Sequence, residues 1–278
     1  MGAVGLVGLG QIGAPMAGHL VDWPHGLVVY DIRAEATADV AARGARVAGS
    51  LEELAKEASI ISVMVRDDEQ VCDVVAELAP AAQPGTVVAI HSTIRAETAE
   101  RLAVEAAEHG VEVVDAPVSG GFMGAHEGTL AVMVGGAPEA VERCRQPFGR
   151  WATLVVHAGP VGAATRMKLA RNLITFVSYT AAAEAQRLAE AAGLDVQALA
   201  GVVRHSDGVT GGPAAIMFRS TTAPLTADDP LREIVDHTRQ LGEKDLALAL
   251  ELGSELEVDL PLTRLALERF AAGLGLVS

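Results

Sequence analysis

The feature that most constrains this chain is a glycine-rich turn near its N-terminus, residues 8–13, with the sequence GLGQIG. The turn has the spacing G-x-G-x-x-G and lies between an apolar run at 3–7, predicted to be a strand, and a run at 12–21 with helical character. In such a strand-turn-helix unit the first glycine permits a tight turn, the second lets backbone amides approach a diphosphate at the helix N-terminus, and the third lets helix and strand pack closely. The motif therefore predicts a dinucleotide site that contains Gly8, Gly10, Gln11, Ile12 and Gly13.

The first half of the chain alternates short apolar runs with longer helical ones. This alternation is typical of βαβ units and a parallel sheet. Predicted strands lie at 3–7, 27–30, 60–65, 86–90, 112–114 and 130–134, with predicted helices such as 34–43 and 96–108 between them. Six or more strands fit a doubly wound, Rossmann-type α/β sheet.

The pattern changes after about Gly162 to long segments rich in Ala and Leu with scattered charges. Segments 163–192, 196–203 and 241–256 are predicted to be helices packed on each other, because strand-like alternation is nearly absent. Segment 206–230 is rich in Gly, Thr, Ser, Pro and Asp, which predicts an irregular connection or a mobile pocket wall. We expect residues 1–161 to form a dinucleotide-binding domain and residues 162–278 a smaller all-α domain for substrate binding and dimerisation.

Composition and charge exclude several classes of function. The chain has 278 residues, with 36 Asp and Glu against 21 Lys and Arg, so its formal charge is −15. A duplex-binding face needs clustered basic residues, and two Trp, two Tyr and five Phe offer few rings for stacking single-stranded bases. Cys72 and Cys144 lack C-x-x-C spacing, and no apolar run reaches the roughly 18–20 residues of a membrane span. We expect a soluble cytoplasmic protein that binds no nucleic acid, membrane or metal.

The choice of dinucleotide depends on two residues that follow the second predicted strand. Asp31 stands 18 residues after Gly13. A carboxylate at this place accepts hydrogen bonds from the ribose hydroxyls and would repel a 2′-phosphate. Arg33, two residues later, could instead pair with a 2′-phosphate. Asp31 therefore favours NAD as the cofactor, and Arg33 leaves NADP open.

A second glycine-containing segment is a candidate site for a carboxylate. Ser119, Gly120 and Gly121 follow the strand predicted at 112–114. A serine with two glycines at the carboxyl end of a strand exposes backbone amides and a hydroxyl, which suit a carboxylate ligand. A plain turn is an equally good interpretation of this segment taken alone.

A lysine and an asparagine in the first predicted helix of the second half are candidates for proton transfer. Lys168 and Asn172 are four residues apart and therefore share one helix face. The apolar neighbours Met167, Leu169 and Ala170 predict partial desolvation of the lysine, which would lower its pKa toward a value useful in catalysis. Taken alone, a surface lysine whose stem lies on apolar neighbours is the simpler interpretation.

Together these segments resemble the β-hydroxyacid dehydrogenases, a family that includes 3-hydroxyisobutyrate dehydrogenase and tartronate semialdehyde reductase, with 6-phosphogluconate dehydrogenase as a larger relative. Four blocks carry the resemblance in order and spacing: GLGQIGAPMAGHL at 8–20, DAPVSGGFMGAHEGTL at 115–130, GPVG at 159–162 followed by Lys168 and Asn172, and Lys244-Asp245-Leu246. The resemblance covers residues 2–275. It implies a Rossmann domain, a helical domain that packs across a dimer interface, and hydride transfer between a small hydroxyacid and NAD.

The resemblance also implies roles for single residues in binding the cofactor. The glycines of residues 8–13 would hold the diphosphate and Asp31 the adenosine ribose. Met64 and Val65 match the loop beside the dinucleotide, in which Arg66 replaces a proline that is frequent in the family. Thr93 matches the residue on the nicotinamide side. Lys244 matches the lysine that closes the site from the helical domain, with Asp245 fixing it.

For the substrate, the resemblance implies a carboxylate site at residues 119–121 and proton transfer by Lys168, with Asn172 helping to hold the substrate. The chain departs from the family pattern at Ala164, Arg171 and His237, where many members have Gly, Asn and Phe. Its first candidate substrate is 3-hydroxyisobutyrate. Alternatives are a reductase of a small semialdehyde or an imine, and a non-catalytic dinucleotide-binding protein. Lys168 argues against the imine reductase and the non-catalytic protein. The sequence does not distinguish a homodimer from a homotetramer.

Overall fold

The computed structural model describes residues 2–276 and divides into two compact units after Arg171. The division falls within a long helix, Ala163–Ala191. We call residues up to 171 the first unit and residues from 172 the second unit. The domain boundary expected between residues 161 and 162 stays a prediction.

The first unit contains one mixed sheet. Its described strands are β1 (Ala3–Val7), β2 (Leu27–Tyr30), β3 (Arg46–Val47), β4 (Ala58–Val63), β5 (Val87–Ile90), β6 (Glu112–Asp115), β7 (Val118–Ser119), β8 (Leu130–Gly135) and β9 (Ala152–Gly159). They follow the order β3-β2-β1-β4-β5-β6-β8-β7, with β9 paired to β8. The strands β1 to β6 are parallel, and β8 runs antiparallel to β6 and β7. The order 3-2-1-4-5-6 confirms the predicted doubly wound, Rossmann-type sheet, whose strand order reverses between β1 and β4.

Helices cover both faces of the sheet in the first unit. They are α1 (Gly13–Gly18), α2 (Ala38–Ala42), α3 (Leu51–Glu57), α4 (Asp68–Ala81), α5 (Ala96–Ala107), α6 (Gly121–Glu127) and α7 (Pro138–Phe148). Side chains alternate between two buried apolar clusters: Val87 and Ala89 of β5 belong to one cluster, and Val88 and Ile90 to the other. A parallel strand buried on both faces needs an uninterrupted apolar run, which is the pattern of the sequence at β5.

Helices are the secondary structure found in the described residues of the second unit, which confirms the predicted all-α region. The helices are α8 (Ala163–Ala191), whose first turns belong to the first unit, α9 (Val196–Thr210), α10 (Arg232–Glu255) and α11 (Pro261–Gly273). The helices α10 and α11 pack closely, since a Cβ atom at Gly242 would overlap the ring of Phe270. The carboxylate of buried Glu184 in α8 accepts hydrogen bonds from the backbone N–H groups of Leu262 and Thr263 and from the Thr263 hydroxyl, so it anchors the start of α11.

Several elements differ from the prediction. The helix α1 ends at Gly18 rather than at residue 21, and the predicted helix at 34–43 is a 3-10 turn, Ala34–Thr37, followed by α2. The segment 206–230 is only partly irregular, because α9 extends to Thr210 and Gly212–Ile216 forms a second 3-10 helix. The strands β3, β7 and β9 and the helix α11 were not predicted. Within residues 2–276, no helix is long and apolar enough to cross a membrane.

Candidate active site

A cleft of about 820 Å³ opens at the carboxyl ends of β1, β2 and β4. Its walls are the glycine turn, the residues that follow β2, the loop 64–66 and one face of α4. This is the edge of the sheet where the strand order reverses, and open α/β sheets bind their ligands at such a point. The cleft therefore lies where the sequence predicts the dinucleotide.

The three glycines of the turn serve close packing of the backbone at two positions and leave open space beside the cleft at the third. Gly8 has a φ of +90°, and a Cβ atom there would overlap the carbonyl oxygen of Met64. A Cβ atom at Gly13 would overlap the carbonyl oxygen of Gly8, so strand and helix pack against each other here. In contrast, a Cβ atom at Gly10 would have no atom within 4 Å and would project into open space. Gly10 also lines the cleft, and a ligand's diphosphate fits the space that its missing side chain leaves.

Asp31 connects the end of β2 to the glycine turn. Its carboxylate accepts hydrogen bonds from the backbone N–H of Leu9 at 2.7 Å and of Arg33 at 2.8 Å. Its side chain is 6% exposed, whereas the Arg33 side chain is 58% exposed, with its Nε atom 3.5 Å from Asp31 Oδ1. Both residues line the cleft. The structure thus brings the two predicted cofactor-selecting residues together, and it holds the carboxylate more firmly than the guanidinium group.

The loop after β4 is fixed to the end of β5 by a serine. The Ser92 hydroxyl donates to the Val65 carbonyl at 2.7 Å and accepts from the Val65 N–H at 3.0 Å. Met64 and Val65, which the resemblance assigns to the loop beside the dinucleotide, line the cleft. Thr93 is exposed and directly follows Ser92 at this edge. Ser92 was not among the predicted site residues, because its role depends on a contact between two strand ends.

Lys168 is buried, with 8% of its surface exposed. Its ammonium group donates a hydrogen bond to the Val118 carbonyl at 2.6 Å. Burial, and to a smaller extent the positive charge of Arg171, lower the pKa of Lys168. The lowered pKa and its cause, desolvation, agree with the prediction, but the residues expected to shield the amine do not provide the burial. Met167 and Leu169, the expected apolar shield, are 40% and 50% exposed, so it is packing toward β7 that buries the amine.

The candidate carboxylate segment directly follows the carbonyl that Lys168 contacts. Ser119 ends β7, Gly120 precedes α6 with a φ of +133°, and Gly121 is the first residue of α6 with a φ of +62°. A Cβ atom at Gly120 would lie 2.8 Å from Leu130 Cδ2, so a larger residue would strain the turn. The exposed residues Gly120 and Gly121 thus follow, by two and three positions, the Val118 carbonyl that accepts the hydrogen bond from the Lys168 amine.

A buried carboxylate that the sequence did not single out positions the helix of Lys168. Asp115, at the end of β6, is fully buried and accepts hydrogen bonds from the N–H groups of Gly162 at 2.8 Å and Thr165 at 2.7 Å. These are donors at the start of α8, which have no partner within the helix. Gly135 leaves room for this carboxylate, since a Cβ atom there would overlap Asp115 Oδ1. Asp115 therefore fixes the position of the first turn of α8, the helix that carries Lys168.

A buried histidine holds the next residue of the same segment. His91 Nδ1 lies 2.7 Å from the Ala116 carbonyl, so it donates, and Nε2 lies 3.0 Å from the Ser62 hydroxyl. Burial lowers the pKa of His91 to about 4, which makes the neutral ring the stable form. The chain from Asp115 to Val118 is thus held by His91 at one carbonyl and by Lys168 at another.

The remaining predicted residues lie on the long helices. Asn172 is half-buried in α8, one turn after Lys168. Lys244 and Asp245 lie exposed in α10 and form an ion pair at 3.1 Å. His237 is exposed in the same helix. The functions assigned to these residues by resemblance stay predictions.

Comparison with known protein families gives two matches. A family model for the NAD-binding domain of 6-phosphogluconate dehydrogenase matches residues 3–159. A second model, described as NAD-binding of NADP-dependent 3-hydroxyisobutyrate dehydrogenase, matches residues 162–275. The two models together cover the sheet with its cleft and the helices that follow it.

Individual proteins are similar over nearly the whole chain. An uncharacterized oxidoreductase of Mycobacterium tuberculosis is 60% identical over 275 residues, 98% of this chain and 93% of the relative. An NAD-dependent L-serine dehydrogenase of Pseudomonas aeruginosa is 33% identical over 277 residues, 97% of this chain and 91% of the relative. The crystal structure of a protein described as an oxidoreductase from Mycobacterium avium has a TM-score of 0.95 and 54% identity, with 99% of both chains covered. Each match spans both units.

Proposed function

Since this chain belongs to the β-hydroxyacid dehydrogenase family of NAD(P)-dependent oxidoreductases, we propose that it oxidises a small β-hydroxyacid with NAD, 3-hydroxyisobutyrate being the first candidate. The observation that carries the proposal is the placement of Lys168. Its buried amine is 2.6 Å from the Val118 carbonyl, directly before residues 119–121. A proton acceptor and a candidate carboxylate site are therefore neighbours in the first unit.

Oxidation of a hydroxyacid removes a hydride from a C–H bond and a proton from the hydroxyl group on the same carbon. Bound NAD supplies the hydride acceptor. We assign the proton to the neutral amine of Lys168, which becomes an ammonium ion while the substrate carbon becomes a carbonyl. In the reverse direction, the Lys168 ammonium group protonates the carbonyl oxygen of a semialdehyde. The same lysine therefore serves a dehydrogenase and a semialdehyde reductase.

The pKa of Lys168 sets the pH dependence of each direction. Burial and then the charge of Arg171 lower this pKa, so more of the amine is neutral at a given pH. We expect kcat/KM for oxidation to rise with pH as Lys168 loses its proton and to level off above its pKa. The reduction requires the protonated form and should fall over the same range.

We assign the substrate carboxylate to the Ser119 hydroxyl and the backbone of Gly120 and Gly121, with Asn172 orienting the substrate hydroxyl. Because the Lys168 amine lies beside this segment, the carboxylate and the reacting carbon must be close together. A short β-hydroxyacid meets that condition. L-serine, named as the substrate of a 33% identical relative, is also a short β-hydroxyacid and belongs in the test.

For the cofactor, we propose NAD, held by Gly8, Gly10 and Gly13 at its diphosphate and by Asp31 at its adenosine ribose. The Asp31 carboxylate is fixed by two backbone N–H groups and disfavours a 2′-phosphate. Gln11, Ile12, Met64 and Val65 line the same cleft. We further assign Thr93 to the nicotinamide side and Lys244 to the cofactor, and Arg33 is the residue through which NADP would bind.

We propose that the second unit associates with a second copy of this chain. Ile234, Leu241 and Leu248 recur every seven residues along α10, and all three are at least 46% exposed. A seven-residue spacing places them on one helix face, as in helices that pack on a partner. A homodimer, or a homotetramer built from it, would bury this face.

The proposed activity is tested by following NADH formation with NAD⁺ and, separately, NADP⁺. The panel contains 3-hydroxyisobutyrate, 3-hydroxypropionate, L-serine, glycerate, 4-hydroxybutyrate and a cyclic amine. We expect one short β-hydroxyacid to be preferred, with NAD⁺ as the better cofactor. Lys168→Ala should lose about 10²–10⁴-fold in kcat and still bind NADH. The matched control is Lys56→Ala, since Lys56 is exposed and pairs with Glu52 on α3.

The alternatives give different results in the same assay. Oxidation of the cyclic amine alone would indicate an imine reductase, and preference for a semialdehyde in the reverse assay would indicate a reductase. NADH binding without turnover of any compound would indicate a non-catalytic protein. Full activity of Lys168→Ala would contradict the role of the lysine.

A further inference from the structure

Charged side chains line the dinucleotide cleft from three parts of the first unit. Asp31 and Arg33 follow β2, Arg66 follows β4, and Asp73 and Glu77 belong to α4. Asp73 and Glu77 are four residues apart, so they share the helix face that lines the cleft. Among residues 2–276, three carboxylates and two guanidinium groups therefore line this cleft.

The guanidinium groups of the cleft already face carboxylates. Arg33 Nε is 3.5 Å from Asp31 Oδ1, and Arg66 Nε is 3.1 Å from Asp67 Oδ2. Asp31 and Asp67 each form an ion pair with an arginine. Asp73 and Glu77, the two carboxylates of α4, are exposed, and neither forms an ion pair within residues 2–276. Their negative charge is therefore uncompensated where it faces the cleft.

We infer that Asp73 and Glu77 act together with Asp31 to make the cleft select NAD over NADP. NADP differs from NAD by one phosphate on the adenosine ribose, which carries a charge of about −1.5 to −2 at pH 7. The two carboxylates of α4 repel that charge across the cleft. Arg33 and Arg66, the cations that could attract it, each lie within 4 Å of a carboxylate, which offsets part of their positive charge. The inference rests on the proposed binding of a dinucleotide in this cleft.

The test is equilibrium binding of NADH and of NADPH to the full chain, measured by isothermal titration calorimetry. We expect the unmodified protein to bind NADH more tightly. In the double variant Asp73→Asn/Glu77→Gln, the ratio of Kd for NADPH to Kd for NADH should fall by about three- to tenfold at low ionic strength. Coulomb's law in water gives an effect of this size for two unit charges if each is taken to lie about 10 Å from the phosphate. Added salt should reduce the ratio in the unmodified protein more than in the variant.

A matched control removes the same number of charges outside the cleft. Glu69→Gln/Glu108→Gln changes two exposed carboxylates of the first unit that do not line the cleft. The ratio of the two Kd values should stay unchanged in this control. A decrease as large as that in the Asp73 and Glu77 variant would show that net charge is responsible, and would overturn the inference.

The measurements separate this inference from the proposed function. If the unmodified protein binds neither nucleotide, the proposed function fails and the inference fails with it. If NADH binds and the double variant keeps the original ratio, the inference alone fails. Tighter binding of NADPH than of NADH to the unmodified protein would also overturn the inference, because the carboxylates would then not disfavour the 2′-phosphate.

Discussion

The two units of this chain differ most in what they bury. In the first unit, each face of the sheet carries a buried apolar cluster that includes strand residues and the helices above them. In the second unit, the buried cluster among the described residues consists of Leu225, Val235 and Leu276. The helices α9 and α11 have no buried residue in the described chain. The first unit therefore has a core of its own, and the second presents much of its apolar surface to its surroundings.

This difference suggests which part of the molecule depends on a partner. A sheet covered on both faces buries its apolar side chains within one chain, whereas an exposed apolar helix face is buried only by another surface. Both tryptophans, Trp23 and Trp151, lie in the core of the first unit. Tryptophan fluorescence therefore reports on the first unit alone, and far-UV circular dichroism reports on the whole chain. Used together, the two signals distinguish unfolding of the first unit from unfolding of the second.

The largest expected effect comes from truncating one phenylalanine in each unit. Phe148 is 1% exposed and its ring centroid is 5.0 Å from that of Trp151, whereas Phe218 is 54% exposed. Phe148→Ala should lower the free energy of unfolding of the first unit by about 3–5 kcal/mol. Phe218→Ala should lower the stability of the chain by about 0.5 kcal/mol or less. Urea unfolding followed by both signals measures the effects, and equal losses would contradict the difference between the units.

The next effect is a pH dependence confined to the first unit. Burial lowers the pKa of His91 from 6.5 to about 4. The unfolded chain therefore takes up this proton at a higher pH than the folded chain does. The free energy of unfolding should be insensitive to His91 above about pH 6.5. It should fall by about 1.4 kcal/mol per pH unit below that value, with a total loss of about 3 kcal/mol near pH 4.

The control for this pH dependence is His91→Gln, which keeps a polar side chain and cannot titrate. Its unfolding midpoint, followed by tryptophan fluorescence between pH 4 and pH 7, should change less steeply than that of the unmodified protein. The ring of His91 lies 5.3 Å from that of Trp151, so the signal comes from the same part of the core. An unchanged slope would assign the pH dependence to other groups.

A smaller effect is expected from placing charge on the exposed face of α10. Leu241→Glu/Leu248→Glu should weaken association of two copies by at least about a hundredfold, or about 2.7 kcal/mol, because both side chains would be buried in a dimer. Light scattering over a concentration series measures the mass. Ser254→Glu adds a charge to the opposite face of the same helix and should leave the mass unchanged. If the unmodified protein is monomeric in this measurement, the second unit does not depend on a partner and the proposal is contradicted.

The two units also differ in how far their structure follows from the sequence. The strands β1, β2 and β5 were predicted because each is an apolar run bounded by residues that favour turns. The strands β3 and β7 have two residues each, which is too short to stand out as a run, and β9 was not predicted although it contains the apolar run 154–156. The helix α11 has no buried residue in the described chain. Its half-buried residues, among them Leu262, Ala266 and Phe270, recur every four residues on one face, a spacing that the prediction did not identify.

The candidate site was predicted best where its residues are adjacent in the chain. The turn at 8–13 is one such segment. Asp115 was not assigned a role, because its partners Gly162 and Thr165 are 47 and 50 residues away. His91 likewise depends on contacts 25 and 29 residues away. The apolar neighbours of Lys168 in the sequence predicted its desolvation and lowered pKa, although packing toward β7, rather than those neighbours, buries the amine.

The smallest expected effect on stability comes from removing one helix cap in each unit. The Ser50 hydroxyl accepts a hydrogen bond from the Glu53 N–H at 3.1 Å at the start of α3, and the Asp195 carboxylate accepts one from the Gln197 N–H at 2.8 Å at the start of α9. Removing either cap should cost about 1 kcal/mol. Ser50→Ala should shift the unfolding transition seen by tryptophan fluorescence, and Asp195→Ala should shift only that seen by circular dichroism. If Asp195→Ala shifts both equally, the two units unfold as one, and the first unit's core also depends on the second.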